Sequence, residues 1–517
     1  MGFAEMTTQA EYGLAAHAAQ RPDQPAMIVG ERVLGYRQFH ERTNRLAHAL
    51  LGRGIGKGDR VAAMLPNGCE YFEVMHAVGR IGATMVPINT HFRAEEVGYI
   101  LDDSGAKLLV THTDYLPEVS PVAGDRICLT VGEPAGAGSY ERALAAASAE
   151  NPPQAELRHG FNVMIYTSGT TGRPKGVIHP TMDPEIGYQS QAMIAAMWGF
   201  TADDVHLVVG PLYHTAPGGY GFMHLFVGAT LVIMTKFDAE AALALIERHR
   251  VTTTHMVPVN FIRILGLPEA TRRRYDVSSL RRVLHAAAPC PEEIKRSIME
   301  FFPRDAVWEY YGMTEGAATV ISPEEWRRKP GSVGKPWPGV ELTILDESGN
   351  PLPAGEIGLI YVSPMGGRAG FQYHKAPEKT ASAYRGKIFT VGDMGYVDED
   401  GYLFISDRKA DMVISGGVNI YPREIEEALY RHPAVADVAV FGVPDEHWGE
   451  AIKAVVELKK GAPATADDLT AFCKQHLAAY KCPRSFELVA ELPRDPNGKV
   501  LKRKLRDRHW EGRSRKV

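Results

Sequence analysis

Two clusters in this 517-residue chain have residue types and spacings suited to chemistry on a phosphorylated ligand. The first is residues 166–176, YTSGTTGRPKG, which follows the apolar run Val163, Met164 and Ile165. Thr167, Ser168, Thr170 and Thr171 offer hydroxyls, Gly169, Gly172 and Gly176 keep backbone N–H groups accessible, and Lys175 adds a cation. Such a loop can wrap a polyphosphate. It is not a Walker A loop, because Pro174 precedes the lysine and Gly176, not Ser or Thr, follows it. On composition alone a solvated Ser/Thr/Gly linker is the leading reading. The second cluster is EYYGMTEG, residues 309–316, placed in a turn after a strand predicted at 306–308. Its tyrosines can stack on a base, its glycine admits a phosphate, and a hydroxyl and a carboxylate can hold a divalent ion.

The elements that must position these clusters follow from hydrophobic periodicity. The spacing predicts helices over 36–53, 70–81 and 95–102, alternating with strands over 60–65, 84–88 and 107–111. That alternation implies a parallel sheet covered on both faces. Ligands bind at the carboxyl ends of such strands, where the loop after Ile165 is expected. Residues 120–160, rich in Ala, Gly, Pro and Glu, read as a surface excursion before the loop, and no function is read from them. A strand at 205–209 delivers GPLYHTAPGGY, and Asp238 is the expected N-cap of a helix over 241–249. Residues 331–362 read as strands joined by Gly/Pro turns, a small β subdomain. Beyond residue 410, a helix over 422–430, strands over 435–443 and 452–458 and a helix over 467–477 form an α+β unit. The fold class is therefore α/β: a large N-terminal domain of doubly wound sheets with a small β subdomain, plus an α+β C-terminal domain.

Composition bounds the rest. Hydrophobic residues at 45% and charged residues at 23% are ordinary for a globular protein. A net charge of -5 gives no bias toward nucleic acid or anionic membranes. The basic run from Lys499 to Lys516 reads mostly as a solvated tail. Five cysteines lack CxxC or metal-ligand spacing, the N-terminus lacks a secretory pattern, and the apolar stretch 222–234 is too short to span a bilayer. A cytoplasmic protein without a transmembrane segment is expected, its oligomeric state open and a homodimer among the options.

TSGTTGRPKG resembles the phosphate loop of the AMP-forming adenylating enzymes, the superfamily of acyl-CoA synthetases, luciferases and adenylation domains of peptide synthetases. PLYHT, YYGMTE, the GD at 392–393, SDRKAD, SGGVNIYP and NGK follow in the family's order, so the resemblance runs from about Ala26 to Leu505. It implies an N-terminal domain over 1–407 and a mobile C-terminal domain over 408–517 with a hinge near 408–411. It implies that Thr167, Ser168, Gly169, Thr170, Thr171, Gly172 and Lys175 hold ATP phosphates, that Ala288 and Tyr311 flank adenine, and that Asp393 and Arg408 contact the ribose. Thr314 would contact the α-phosphate, Glu315 would ligate Mg²⁺, and His214 would line or gate the acyl pocket. Gly416 and Gly417 would wall the pantetheine tunnel of CoA, and Lys499 would be the adenylation lysine.

The resemblance implies a ligase that activates a carboxylic acid as acyl-AMP and transfers the acyl group to CoA. Peptide-synthetase domains carry an aspartate after the PLYH position to hold an amino group, and none stands here. The small residues Thr215, Ala216, Gly218 and Gly219 suggest a roomy pocket, hence a hydrophobic acid such as a fatty or polycyclic acid. Many relatives carry Asp or Lys at the hinge, whereas this chain has Ala410. A normal two-step cycle is the favoured reading. Alternatives are an enzyme in which thioester formation from acyl-AMP predominates, transfer to a carrier-protein pantetheine, and a non-catalytic acyl-adenylate binder.

Overall fold

The structure is a computed structural model that describes residues 12–132, 139–152, 162–167, 174–180, 183–365, 370–495 and 498–511. The chain forms two compact units, the first comprising Met1–His255, Arg273–Val283 and Ala369–Thr380, the second Met256–Arg272, Leu284–Arg368 and Ala381–Val517.

The first unit carries the expected doubly wound architecture. Arg60–Met64 lies between Thr84–Pro87 and Leu108–His112, all parallel, and Ile127–Val131 extends that sheet. In a second sheet Val205–Val208 runs parallel to Thr230–Ile233 on one side and to residues 253–255 on the other. Pro25–Val29 adds in parallel and Arg32–Gly35 closes the edge in antiparallel. Crossovers between parallel strands need helices, and these are buried in turn. In Cys69–Arg80 every residue but Glu70 is buried, the charged Glu73 and Arg80 included, and Glu73 is compensated by an ion pair with Arg42 at 2.7 Å. Its Phe72 and Val78 share a core with Phe39 and Leu46 of Tyr36–Leu51 and with Phe222 and Leu225 of Thr215–Val227. Helix Ala239–His249 is capped by Asp238, whose Oδ1 accepts from the Ala241 N–H at 2.8 Å, as its sequence position predicts.

The second unit holds the antiparallel parts. Leu342–Leu345, Gly358–Val362, Asp393–Val397 and Leu403–Arg408 pair in antiparallel succession, realising the small β subdomain. Toward the C-terminus, Val435–Asp445 and Gly449–Leu458 form a long hairpin, joined by Ser485–Val489 and by the hairpin Val413–Ser415/Val418–Ile420. Helices Pro422–Tyr430 and Ala466–His476 cover this sheet, burying Ile425, Leu429, Leu469 and Cys473 against Val438, Val440 and Val456.

Three local expectations are corrected. Residues 120–160 are not a surface excursion, since Ile127–Val131 extends the parallel sheet and Tyr140 and Leu144 of Ser139–Ala145 are buried in the first unit's core. The stretch 309–316 is not a turn after a short strand: Val307–Met313 runs through it and pairs with Gly316–Ile321, leaving Thr314 and Glu315 as the reversal. The basic run is not all solvated either. Lys502 pairs with Glu426 at 2.7 Å, and Arg506 with Asp411 at 3.0 Å.

Candidate active site

In the first unit, Ile165–Thr167 and Lys175–Ile178 form an antiparallel hairpin in which Thr167 faces Lys175. Val163 makes a parallel bridge to Met85, after which the chain leaves the parallel sheet. The loop therefore opens from a hairpin beside the sheet and not from the end of a parallel strand, as its apolar lead-in suggested. Ser168, Gly169, Thr170, Thr171 and Gly172 lie outside the described residues. Both flanks are braced: the Tyr166 hydroxyl donates to Asp103 Oδ2 at 2.6 Å, and Tyr99 donates to the Pro174 carbonyl at 3.1 Å. Lys175 Nζ sits 5.0 Å from the Tyr373 ring centroid, so an aromatic face orients the ammonium.

His214 precedes helix Thr215–Val227 and packs 4.6 Å from the Tyr213 ring. Burial, with His91 nearby, lowers its pKa to about 3, so the ring is neutral at physiological pH. Its Nε2 is buried with no hydrogen-bond partner among the described residues. One of the small residues after it, Gly218, has a packing reason that the sequence did not reveal. A Cβ on Gly218 would lie 2.7 Å from the Leu212 carbonyl oxygen, so this glycine lets the helix close on its own lead-in. Gly218 thus does not report pocket volume.

In the second unit, three expected residues meet. Asp393 stands opposite Arg408 on adjacent antiparallel strands. Its Oδ2 accepts from the Tyr311 hydroxyl at 2.6 Å, and its Oδ1 from Arg408 Nε at 3.2 Å. Asp393 is 7% exposed, so these are low-dielectric, charge-assisted contacts. Burial and the adjacent Asp393 carboxylate push the Tyr311 phenol up, keeping it a donor. Lys499 joins the same charge field. Burial, then Arg408, lowers its pKa from 10.5 to about 8, opposed by Asp393, Asp495 and Asp411.

The turn that presents Lys499 is held from both sides. The Asp495 N–H donates to the Lys499 carbonyl at 2.8 Å, and Arg494 Nη1 to the Gly498 carbonyl at 3.2 Å. Arg494 is anchored by ion pairs to Asp437 and Glu457. Gly498 has φ 82° and sits so close to Val259 that a Cβ would overlap that side chain, which explains the glycine before the lysine.

Thr314 and Glu315 form the reversal of the hairpin whose outgoing strand carries Tyr311. Among the described residues no group of three or more His, Cys, Asp or Glu is arranged to hold a metal. A single carboxylate with a neighbouring hydroxyl suits an ion that keeps most of its waters, as Mg²⁺ does. Ala288 is half-buried and follows Ala287, which has φ 73°, a costly conformation for a residue with a Cβ. Gly416 and Gly417, with φ 59° and 79°, form the two-residue turn between Val413–Ser415 and Val418–Ile420, a reversal that requires left-handed backbone at both positions.

Sequence reasoning missed the groups beneath these elements. Lys295 and Glu309 form a buried ion pair, with His285 Nε2 at 3.7 Å from the same carboxylate and the Trp326 ring centroid 4.8 Å from the ammonium. The available signal was a lysine among Ile294, Ile298 and Met299 on the apolar face of Glu292–Phe301.

This fold and charge arrangement accord with what the sequence matches. Residues 14–367 match the AMP-binding enzyme family and residues 424–499 the AMP-binding enzyme C-terminal domain. The chain belongs to the AMP-binding enzyme family. It is 36% identical over 496 residues to a feruloyl-CoA synthase from Amycolatopsis sp, covering 95% of this chain and 97% of that one. It is 33% identical over 510 residues to the fatty acid–[acyl-carrier-protein] ligase ScoC of Streptomyces coeruleorubidus, covering 97% and 96%. Among solved structures, o-succinylbenzoate CoA synthetase (MenE) from Bacillus subtilis, in complex with the acyl-adenylate intermediate OSB-AMP, superposes with a TM-score of 0.81 at 30% identity, covering 95% of this chain and 97% of that one. No helix among the described residues is long and apolar enough to cross a membrane.

Proposed function

We propose that this protein is an AMP-forming acid–CoA ligase that activates a hydrophobic carboxylic acid as acyl-AMP and transfers the acyl group to CoA. The observation that carries this reading is the Tyr311–Asp393–Arg408 contact with Lys499 in the same charge field. A buried carboxylate between a phenol and a guanidinium suits a ribose diol beside a stacked base, and the lysine suits an adjacent phosphate.

In the first step the acid's carboxylate attacks the α-phosphorus of ATP; a P–O bond forms to the acid and the bond to pyrophosphate breaks. Negative charge builds on the phosphate oxygens, which the Lys499 ammonium and Thr314 stabilise. Thr167, Lys175 and the loop 168–172 hold the departing pyrophosphate. Glu315 would hold Mg²⁺, which when bound offsets charge on phosphate oxygens. No general base is needed, because the nucleophile is already ionised. His214, neutral, lines the acyl pocket. In the second step residues 408–517 rotate about a hinge at 408–411, withdrawing Lys499 and presenting the Gly416–Gly417 turn to pantetheine. The CoA thiol loses its proton to solvent, its sulfur attacks the acyl carbonyl, and AMP leaves. A reducing compartment suits the five cysteines, none of which is paired.

The state of Lys499 gives a signed expectation. The ammonium is the useful form, so kcat/KM for pyrophosphate exchange falls as pH rises through about 8, by about ten-fold per unit above it. This loss is not unfolding: between about 8 and 10.5 the unfolded chain binds more protons at this lysine, so its contribution to stability rises with pH. Asp393→Ala removes an anion that raises the Lys499 pKa and a ribose acceptor. Its alkaline limb moves to lower pH, and KM for ATP rises about ten-fold or more. An unchanged limb would contradict the shared charge field.

A second acceptor has a specific observation behind it, since ScoC at 33% identity is named as a carrier-protein ligase. Mass analysis of products, with CoA and an acyl-carrier protein offered in parallel, separates the two. Acyl-CoA as the main product supports the proposal, and acylation of the carrier protein alone overturns the choice of acceptor.

A further inference from the structure

We propose that Arg506 is a positioning residue for acyl-AMP formation, tying the segment that carries Lys499 to the backbone of the hinge at Ala410. The inference rests on the ligase reading and on rotation at 408–411.

Arg506 lies on helix Lys502–Asp507, which begins three residues after Lys499. Three residues span at most about 10 Å, so the helix position fixes that of the lysine closely. The helix is itself anchored. Leu505 packs in a small core with Ala439, Phe441, Val455 and Leu492. Lys502 pairs with Glu426 at 2.7 Å, and the same Glu426 oxygen accepts from the Val440 N–H at 2.7 Å.

From this helix Arg506 Nη1 donates to two acceptors, Asp411 Oδ1 at 3.0 Å and the Ala410 carbonyl at 3.2 Å. The side chain is 14% exposed, so both bonds are shielded from competing water. The Ala410 carbonyl shares a planar peptide unit with the Asp411 N–H, so rotation about the backbone bonds of residues 408–410 carries both acceptors and Arg506 together. The two bonds therefore join the end of the hinge and the helix that follows Lys499 into one lever, and a rotation at the hinge is transmitted to the lysine. A guanidinium can serve both acceptors at once, which an ammonium does with less geometric constraint.

The test uses the full-length protein with two assays, acid-dependent exchange of pyrophosphate into ATP and transfer from preformed acyl-AMP to CoA. Arg506→Ala should lower exchange by about ten-fold or more and leave transfer within about two-fold, with Arg506→Lys recovering most of the loss. Trypsin cleavage after Arg408 or Lys409, followed by mass spectrometry without substrates, should be several-fold faster in Arg506→Ala than in the wild type. Equal losses in both assays, or unchanged exchange, would overturn the assignment. If Arg506→Ala does not fold, Arg506→Lys carries the same comparison at smaller amplitude. A wild type that exchanges pyrophosphate with no acid would overturn the ligase reading instead. The cleavage comparison needs no acid, so unchanged cleavage would then overturn the hinge contact by itself.

Discussion

Lys499→Ala should lower acid-dependent pyrophosphate exchange by on the order of 10²–10³-fold, the usual consequence of removing one preorganised group facing developing oxyanion charge. The effect should be confined to that step. The turn bearing Lys499 is held by its backbone bond to Asp495, by Arg494 and by the fit of Gly498 against Val259, none of which involves the lysine side chain. The variant should therefore fold, bind ATP with a KM within a few-fold of the wild type, and still pass an acyl group from supplied acyl-AMP to CoA. Burial and Arg408 already disfavour the ammonium, so removing it relieves rather than unbalances the charge cluster. Retained acyl-AMP formation would contradict the role given to this residue.

Glu309→Ala should destabilise the protein by about 3–5 kcal/mol, read as a lower urea midpoint, because it strands the Lys295 ammonium in the interior. Lys295 is 1% exposed and Glu309 6%, so water does not replace the lost partner. Burial already lowers the Lys295 pKa, and loss of the carboxylate removes the group that opposes this. The stranded lysine then releases its proton more readily, so the deficit should shrink as pH rises. Adding Lys295→Met should recover much of the loss, since the pair's net contribution is smaller than the cost of breaking it. Because Glu309 and Tyr311 share the strand Val307–Met313, ATP affinity should weaken along with stability. An unchanged midpoint would show that the pair does not brace the strand that carries Tyr311.

Much of this arrangement is legible in the sequence, and what is not has a common cause. Helix Pro422–Tyr430 falls where periodicity places it because Pro422 and the apolar pair Ile425 and Leu429 act locally. Asp238 is recognisable as a cap because capping is a three-residue event. The hairpin at 307–321 is less legible. A run of Tyr-Tyr-Gly looks like a turn until its antiparallel partner is known, and the partner's register is a pairing property. Gly218 looks like pocket space because its reason is the carbonyl of Leu212 beneath it. Arg506 is further out of reach: Asp411 lies 95 positions earlier, and nothing local separates this arginine from Arg503, which makes a short-range pair with Asp507 among the described residues. Residue types announce chemistry locally, but the packing that orients them is assembled over long separations.

Incubation of the purified protein with ATP, Mg²⁺, CoA and a panel of apolar carboxylic acids, with nucleotides and thioesters quantified together, tests the central claim most directly. The account predicts AMP and acyl-CoA in equal amounts for at least one acid, pyrophosphate as the co-product, and loss of all three in Lys499→Ala. Release of ADP and phosphate in place of AMP and pyrophosphate, or nucleotide turnover independent of any acid, would contradict it.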